Sequence, residues 1–144
     1  MAEIFNRYAT IDIFIPTEMH NRIDSFVSRS DADLGPFGRQ IDLWWAGLAL
    51  GVRIGVRTPM PENRVKFNTG AILNTDPWRI THLELLALSE HGPDIFDTPG
   101  EVILIASEYA NTGLQWIMEA LLGEAEPTLT FMNRVIEHIH EPSH

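Results

Sequence analysis

Cysteine is absent from this chain and lysine occurs only at position 66. Without cysteine there is no disulfide framework, no thiolate nucleophile and no cysteine-ligated zinc or iron–sulfur centre, so a cytoplasmic protein is expected. Long apolar runs are also missing. The most hydrophobic stretch, LWWAGLALGV at 43–52, lies between Asp42 and Arg53 and has ten residues, about half of the roughly 20 a membrane-spanning helix requires. No membrane association is expected, and MAEIFNRYATID has no basic stretch leading into an apolar run, so no secretory signal is expected either. There is no G-x-S-x-G, Walker loop, dinucleotide fingerprint or kinase motif.

Positive charge is scarce too. Ten Lys and Arg face twenty Asp and Glu, for a net charge of −10. Residues 1–66 hold eight cations and eight acids, whereas residues 67–144 hold two cations and twelve acids. A neutral half therefore precedes an acidic half. Phosphate contacts supply most nucleic-acid affinity, and one cluster could make them: Arg53, Arg57, Arg64 and Lys66, opposed only by Glu62. The competing reading is that these arginines bridge to the chain's own acids or to those of a neighbouring subunit. Nucleic-acid contact by the isolated chain is expected to be weak at most.

What the sequence does contain is patterned. Ile11, Ile13 and Ile15 alternate with polar or exposed positions, the period of a half-buried strand, and after Pro16 the apolar residues Met19, Ile23, Phe26 and Val27 take helical spacing. A turn follows at 28–38, then a second helix from about Phe37 to Val52. Residues 56–75, with Pro59, Pro61 and Gly70 and alternation at Val65 and Phe67, predict a loop with at most a short strand or short hairpin. Asp76 and Pro77 open a third helix that Gly92 stops. Thr98, Pro99 and Glu101 form a capping box for a fourth helix ending near Gly123. Pro127 opens a fifth, carrying Leu129, Met132, Val135, Ile136 and Ile139. The expected fold is mainly α, a single domain over 1–144 with sections at 9–55, 56–75 and 76–141.

Candidate chemistry is thin. Asp94 and Glu101 echo the paired carboxylates of metal-dependent nucleases, but Ile103 stands where the lysine belongs. His82 and Glu84 match the H-x-E of zinc deaminases without the cysteines those enzymes need. Glu137, His138, His140, Glu141 and His144 read as a solvated tail, so neither metal nor cofactor is expected. No enzyme is expected. Trp44 and Trp45 point about 100° apart on a helix, which places one of them at an interface. Gly47, Gly51 and Gly55, four apart, form a groove for close helix approach. Trp78 is expected to staple the start of the third helix and Trp116 to lie on an apolar face.

The segments IFIPTEMHNRIDSFV and PFGRQIDLWWAGLALGVRIG, in the order strand, proline, helix, turn, long helix, resemble the ribbon-helix-helix superfamily over residues 9–55. More weakly, the size and helical extension resemble the small E subunit of bacterial DNA phosphorothioation systems, which act in phage defence. The first resemblance implies a strand paired with its copy in a second chain, and outward side chains that read the major groove. Here those outward residues are Thr10, Asp12 and Phe14, unlike the basic or amide side chains of a reading ribbon. The second implies a compact helical oligomer without a catalytic site that accompanies modification enzymes. Together they favour a non-catalytic accessory or assembly subunit that forms homo-oligomers and docks other protein subunits, with an interface at Ile11, Ile13, Ile15, Trp44, Trp45 and Gly51. The alternative is a ribbon-helix-helix transcriptional regulator.

Overall fold

The computed structural model describes residues 6–22, 39–121 and 133–137. In order these form strand β1 (Asp12–Pro16), a single helical turn α1 (Thr17–His20), helix α2 (Gln40–Ile54), strand β2 (Arg64–Thr69), a 3-10 segment (Gly70–Thr75), helix α3 (Trp78–His91), a second 3-10 segment (Pro93–Asp97) and helix α4 (Pro99–Leu121). Residues 133–137 are helical. The architecture is mainly α, with one small antiparallel sheet. The first expected helix stops at His20, with 21–22 in a turn; its positions from 23 on, the turn at 28–38, most of the fifth helix and most of the histidine-rich tail lie outside the described residues.

The period-two pattern of β1 buries Ile13 and Ile15 completely or nearly so, as alternation on a half-covered strand requires. Its partner differs from the expectation. β1 pairs antiparallel with β2 of its own chain, Ile13 opposite Asn68, Phe14 opposite Lys66 and Ile15 opposite Val65, with an irregularity between Ile13 and Phe14. The ribbon-helix-helix pattern has this strand pair with a second copy. Residues 56–75 thus supply the short strand that is one of the expected alternatives, and it joins a distant strand instead of folding into a hairpin of its own. Part of the reason is legible in β2: half-buried Val65 lies opposite buried Ile15 and exposed Lys66 opposite Phe14, while Phe67, left unpaired at the irregularity, turns inward and is buried.

Helix α2 buries Ile41, Leu43, Trp44 and Leu48 and ends where Gly55 adopts φ 82°, its N–H donating to the Gly51 carbonyl at 2.9 Å. Only glycine takes that left-handed cap without strain. Gly47 and Gly51 lie against α4, opposite Gly113 and Tyr109, so the small-residue groove on α2 receives a helix of the same chain. Val102, Ile105, Leu114 and Ile117 of α4 complete the core with Tyr8. Helix α3 rests on α4 through Leu83 and Ala87. The capping box at the start of α4 does not form as expected. The Glu101 N–H donates to the Thr98 backbone carbonyl at 2.9 Å, and the Thr98 hydroxyl turns back to the Ile95 carbonyl, because the 3-10 segment before α4 leaves that carbonyl within reach.

Candidate functional site

Three of the four cations of the basic cluster are engaged, each at a different place. Arg57 lies between α3 and α4: its Nε donates to Glu108 at 3.0 Å, its Nη2 bonds the same carboxylate, and Glu90 lies 3.8 Å from Nη1. Lys66 faces Asp12 across the ladder at 3.9 Å. The Arg64 guanidinium stacks over the Phe14 ring, 5.1 Å from its centroid. Asp12 and Phe14, the positions from which a reading ribbon would face bases, are therefore the partners of the two basic residues on β2. Arg53 is exposed at the end of α2, the one member of the cluster without a contact among the described residues.

The expected interface residues divide in the same way. Ile13, Ile15 and Trp44 belong to the chain's own core, with Trp44 only 1% exposed. Gly51 lies beneath the Tyr109 backbone, and Ile11 packs against the core with partial exposure. Trp45 points elsewhere, into an apolar surface between α2 and α3.

That surface is an open groove of about 520 Å³ between α2 and α3. Trp45, Leu48, Ala49 and Val52 form one wall; Trp78, His82, Leu85 and Leu86 form the other. Trp78 is 49% exposed, Leu85 57% and Val52 42%, and contiguous apolar exposure of this kind marks sites of association. At the N-terminal end of α3, Trp45 and Trp78 meet edge to face with centroids 5.4 Å apart, and the His82 ring stands 5.5 Å from that of Trp78.

This aromatic end is fixed from below. Arg79 is 6% exposed, with its guanidinium 5.1 Å from the centroids of both Trp45 and Trp78. Its Nη2 donates to Asp42 at 2.9 Å, and Nη1 lies 3.7 Å from Asp76. Nε and Nη1 have no hydrogen-bond partner among the described residues, so ring faces and two carboxylates together hold the charge. Arg39 closes the network with a two-point contact to Asp42 and a bond to Asp76 at 3.0 Å. Burial alone would raise the Asp42 carboxyl, but hydrogen bonds from Arg39 and Arg79 outweigh it and hold it below the ordinary aspartate range. The two tryptophans thus rest on a buried guanidinium that Asp42 and Asp76 hold from the other side.

Two phenols make further polar links to carboxylates of α3. Tyr8 donates to Glu84 at 3.1 Å, and burial with that carboxylate beside it pushes the phenol well above its ordinary value. Tyr109 donates to Glu90, and that bond, with burial, raises it as well. The H-x-E pair is split by this arrangement, since His82 joins the tryptophans while Glu84 serves Tyr8. Among the described residues no group of three or more His, Cys, Asp or Glu is placed to hold a metal ion.

Arg79 and the second wall of the groove escaped the sequence reading. A signal was present. Trp78, His82 and Leu85 recur at i, i+4 and i+7, a second stripe beside the one formed by partly buried Ile80 and buried Leu83 and Ala87, and a helix apolar on two faces has two things to cover. Among the described residues no helix is long and apolar enough to cross a membrane. No family model, curated protein or solved structure matches this chain.

Proposed function

We propose that this chain is a small, non-catalytic accessory or assembly subunit of a bacterial multi-protein complex, working in the cytoplasm, of the kind that accompanies DNA-modification or phage-defence enzymes. The observation that carries this reading is the contrast between two surfaces. Arg57, Arg64 and Lys66 are engaged by groups of the same chain, whereas the α2–α3 groove leaves two walls of apolar and aromatic side chains uncovered. A surface built this way suits protein association. Nucleic-acid contact, on this reading, depends on a companion that supplies basic surface, and the companion docks on the acidic second half of the chain.

The ribbon-helix-helix regulator is the weaker reading, since β1 pairs with β2 of its own chain and the exposed Asp12 and the half-buried Phe14 are engaged there by Lys66 and Arg64. Two measurements test the proposal. Titration of a pool of short duplexes at physiological salt should give no affinity tighter than the micromolar range of non-specific binding. Purification of the tagged chain at its natural abundance should recover one companion protein in fixed ratio. Sequence-selective binding near 10⁻⁸ M by the isolated chain supports the regulator instead, and recovery of the chain with only itself overturns the accessory reading.

A further inference from the structure

We infer that a second cavity, on the sheet side of α4, binds a small apolar monocarboxylate. It has a volume of about 250 Å³ and lies between one face of α4 and the β1–β2 sheet. Gly100, Ile103, Leu104 and Ser107 form the helical wall at i, i+3, i+4 and i+7, the spacing of a single face. Met60, from the loop, and Arg64, at the start of β2, help to close the other side. None of these residues lines the α2–α3 groove, so the site is separate from the association surface. Its volume falls just below the roughly 300–1,000 Å³ of pockets for drug-sized ligands, which limits the occupant to a smaller molecule.

Ser107 marks the cavity as a ligand site. It is 4% exposed and lines the cavity, and its hydroxyl has no hydrogen-bond partner among the described residues. Other helical hydroxyls are satisfied within the fold: Ser89 donates to the Leu86 carbonyl at 2.7 Å and Thr112 to the Val56 carbonyl at 2.8 Å. Buried polar groups are nearly always paired, and one left unpaired costs stability. An acceptor brought into the cavity supplies the partner that the chain itself does not.

Arg64 sets the charge of that occupant. The Phe14 ring lies against its guanidinium, and no carboxylate among the described residues pairs with it. A stacked guanidinium keeps its in-plane N–H groups available, and these fit a carboxylate in a two-point contact. The acid in the lining, Asp12, already faces Lys66 at 3.9 Å, so Arg64 is the uncompensated charge. Arg64 and Ser107 fall toward the same end. Asp12 and Phe14 share this cavity with residues 100–107, whereas Pro16 and Met19 share a neighbouring one with Asn111 and Met118, so β1 runs in the direction of α4. Arg64 stands opposite Pro16 in the ladder, and the Thr58 N–H donates to the Glu108 carbonyl at 3.2 Å; both bring the Arg64 segment toward the Ser107 turn. A carboxylate held there takes donors from both residues, and its hydrocarbon body lies along Ile103 and Leu104 toward the open space at Gly100. A phosphate's second charge would find no second cation in the lining.

Isothermal titration of the full chain with isovalerate and with phenylacetate tests the site. At least one of them should bind saturably, one per chain, with a Kd below about 1 mM. Acetate, which has the charge without the body, and phenylacetamide, which has the body without the charge, should each bind at least tenfold more weakly than the better carboxylate. Arg64→Met should weaken the carboxylate at least tenfold with unchanged helical content, because the position is exposed. Ser107→Ala should weaken it by about threefold or more, and the ligand-free variant should melt no lower than the parent, since the hydroxyl it removes bonds nothing. Failure of both carboxylates to saturate, equal binding of the amide, binding indifferent to Arg64→Met, or a lower melting temperature for ligand-free Ser107→Ala overturns the assignment.

Discussion

A β-carbon added to Gly113 would lie 1.7 Å from the carbonyl oxygen of Gly47. No side-chain rearrangement relieves such a clash, because the obstacle is backbone, so α2 and α4 would have to separate. Gly113→Ala should therefore destabilise the fold by about 1–3 kcal/mol or more, read as a lower urea midpoint. Gly100→Ala is the control: it sits in the first turn of the same helix with open space around it, and alanine there should be neutral or stabilising by up to about 1 kcal/mol. Equal effects at the two sites would mean that α2 and α4 do not touch through their backbones.

The Arg57 network makes a second prediction. Glu108 is only 15% exposed and takes two bonds from Arg57, so Arg57→Met strands a mostly covered carboxylate. A loss of about 1.5–3 kcal/mol is expected, the range for hydrogen bonds to charged groups. In a double-mutant cycle, Arg57→Met with Glu108→Gln should cost less than the two single changes added together. The Lys66–Asp12 pair, 3.9 Å apart and half exposed, should contribute under about 1 kcal/mol by the same measurement. Additive single effects at 57 and 108 would show that the two side chains do not act on each other.

Acid stability should depend on Asp42. Its folded-state carboxyl is held below the ordinary aspartate value, so its contribution is complete above about pH 4, where the unfolded residue is already ionised, and is lost as pH falls through the lower folded value. Asp42→Asn should therefore melt at lower temperature than the parent at pH 7, and the gap should narrow steadily below pH 4. A gap that is constant from pH 7 to pH 2 would show that the carboxylate charge is not what holds Arg39 and Arg79.

Several elements could be read from the residues, and the reasons are local. The alternation at Ile13 and Ile15, the stop at Gly92 and the Pro99 start each depend on neighbours a few positions away. Of the small-residue row Gly47, Gly51 and Gly55, the first two meet a close helix, α4, whereas Gly55 caps α2 with open space beside it. Partner choice was not local. Whether β1 pairs with β2 or with another molecule turns on Phe67, Lys66 and Arg64, some fifty residues away, and no periodicity encodes that. The same holds for Arg79, whose burial depends on Asp42 and Trp45 in a different helix. Composition did pose the question for the basic cluster correctly: with twenty acids against ten cations, arginines meeting carboxylates of their own chain was the competing reading, and Arg57 does so.

The pairing of β1 with β2 also sets an order of events during synthesis. β1 emerges first, yet the strand that covers its ladder, 64–69, is made only after α2. Until then Ile13 and Ile15 have no sheet partner, and closing so long a loop is slow compared with forming a helix. The nascent strand is short, begins at Asp12 and ends at Pro16. A charge at one end and a residue that cannot donate to a ladder at the other are the features by which unpaired strands resist joining a neighbour. Asp12→Val with Pro16→Thr would remove both guards, leaving newly made chains prone to aggregate before the later strand arrives.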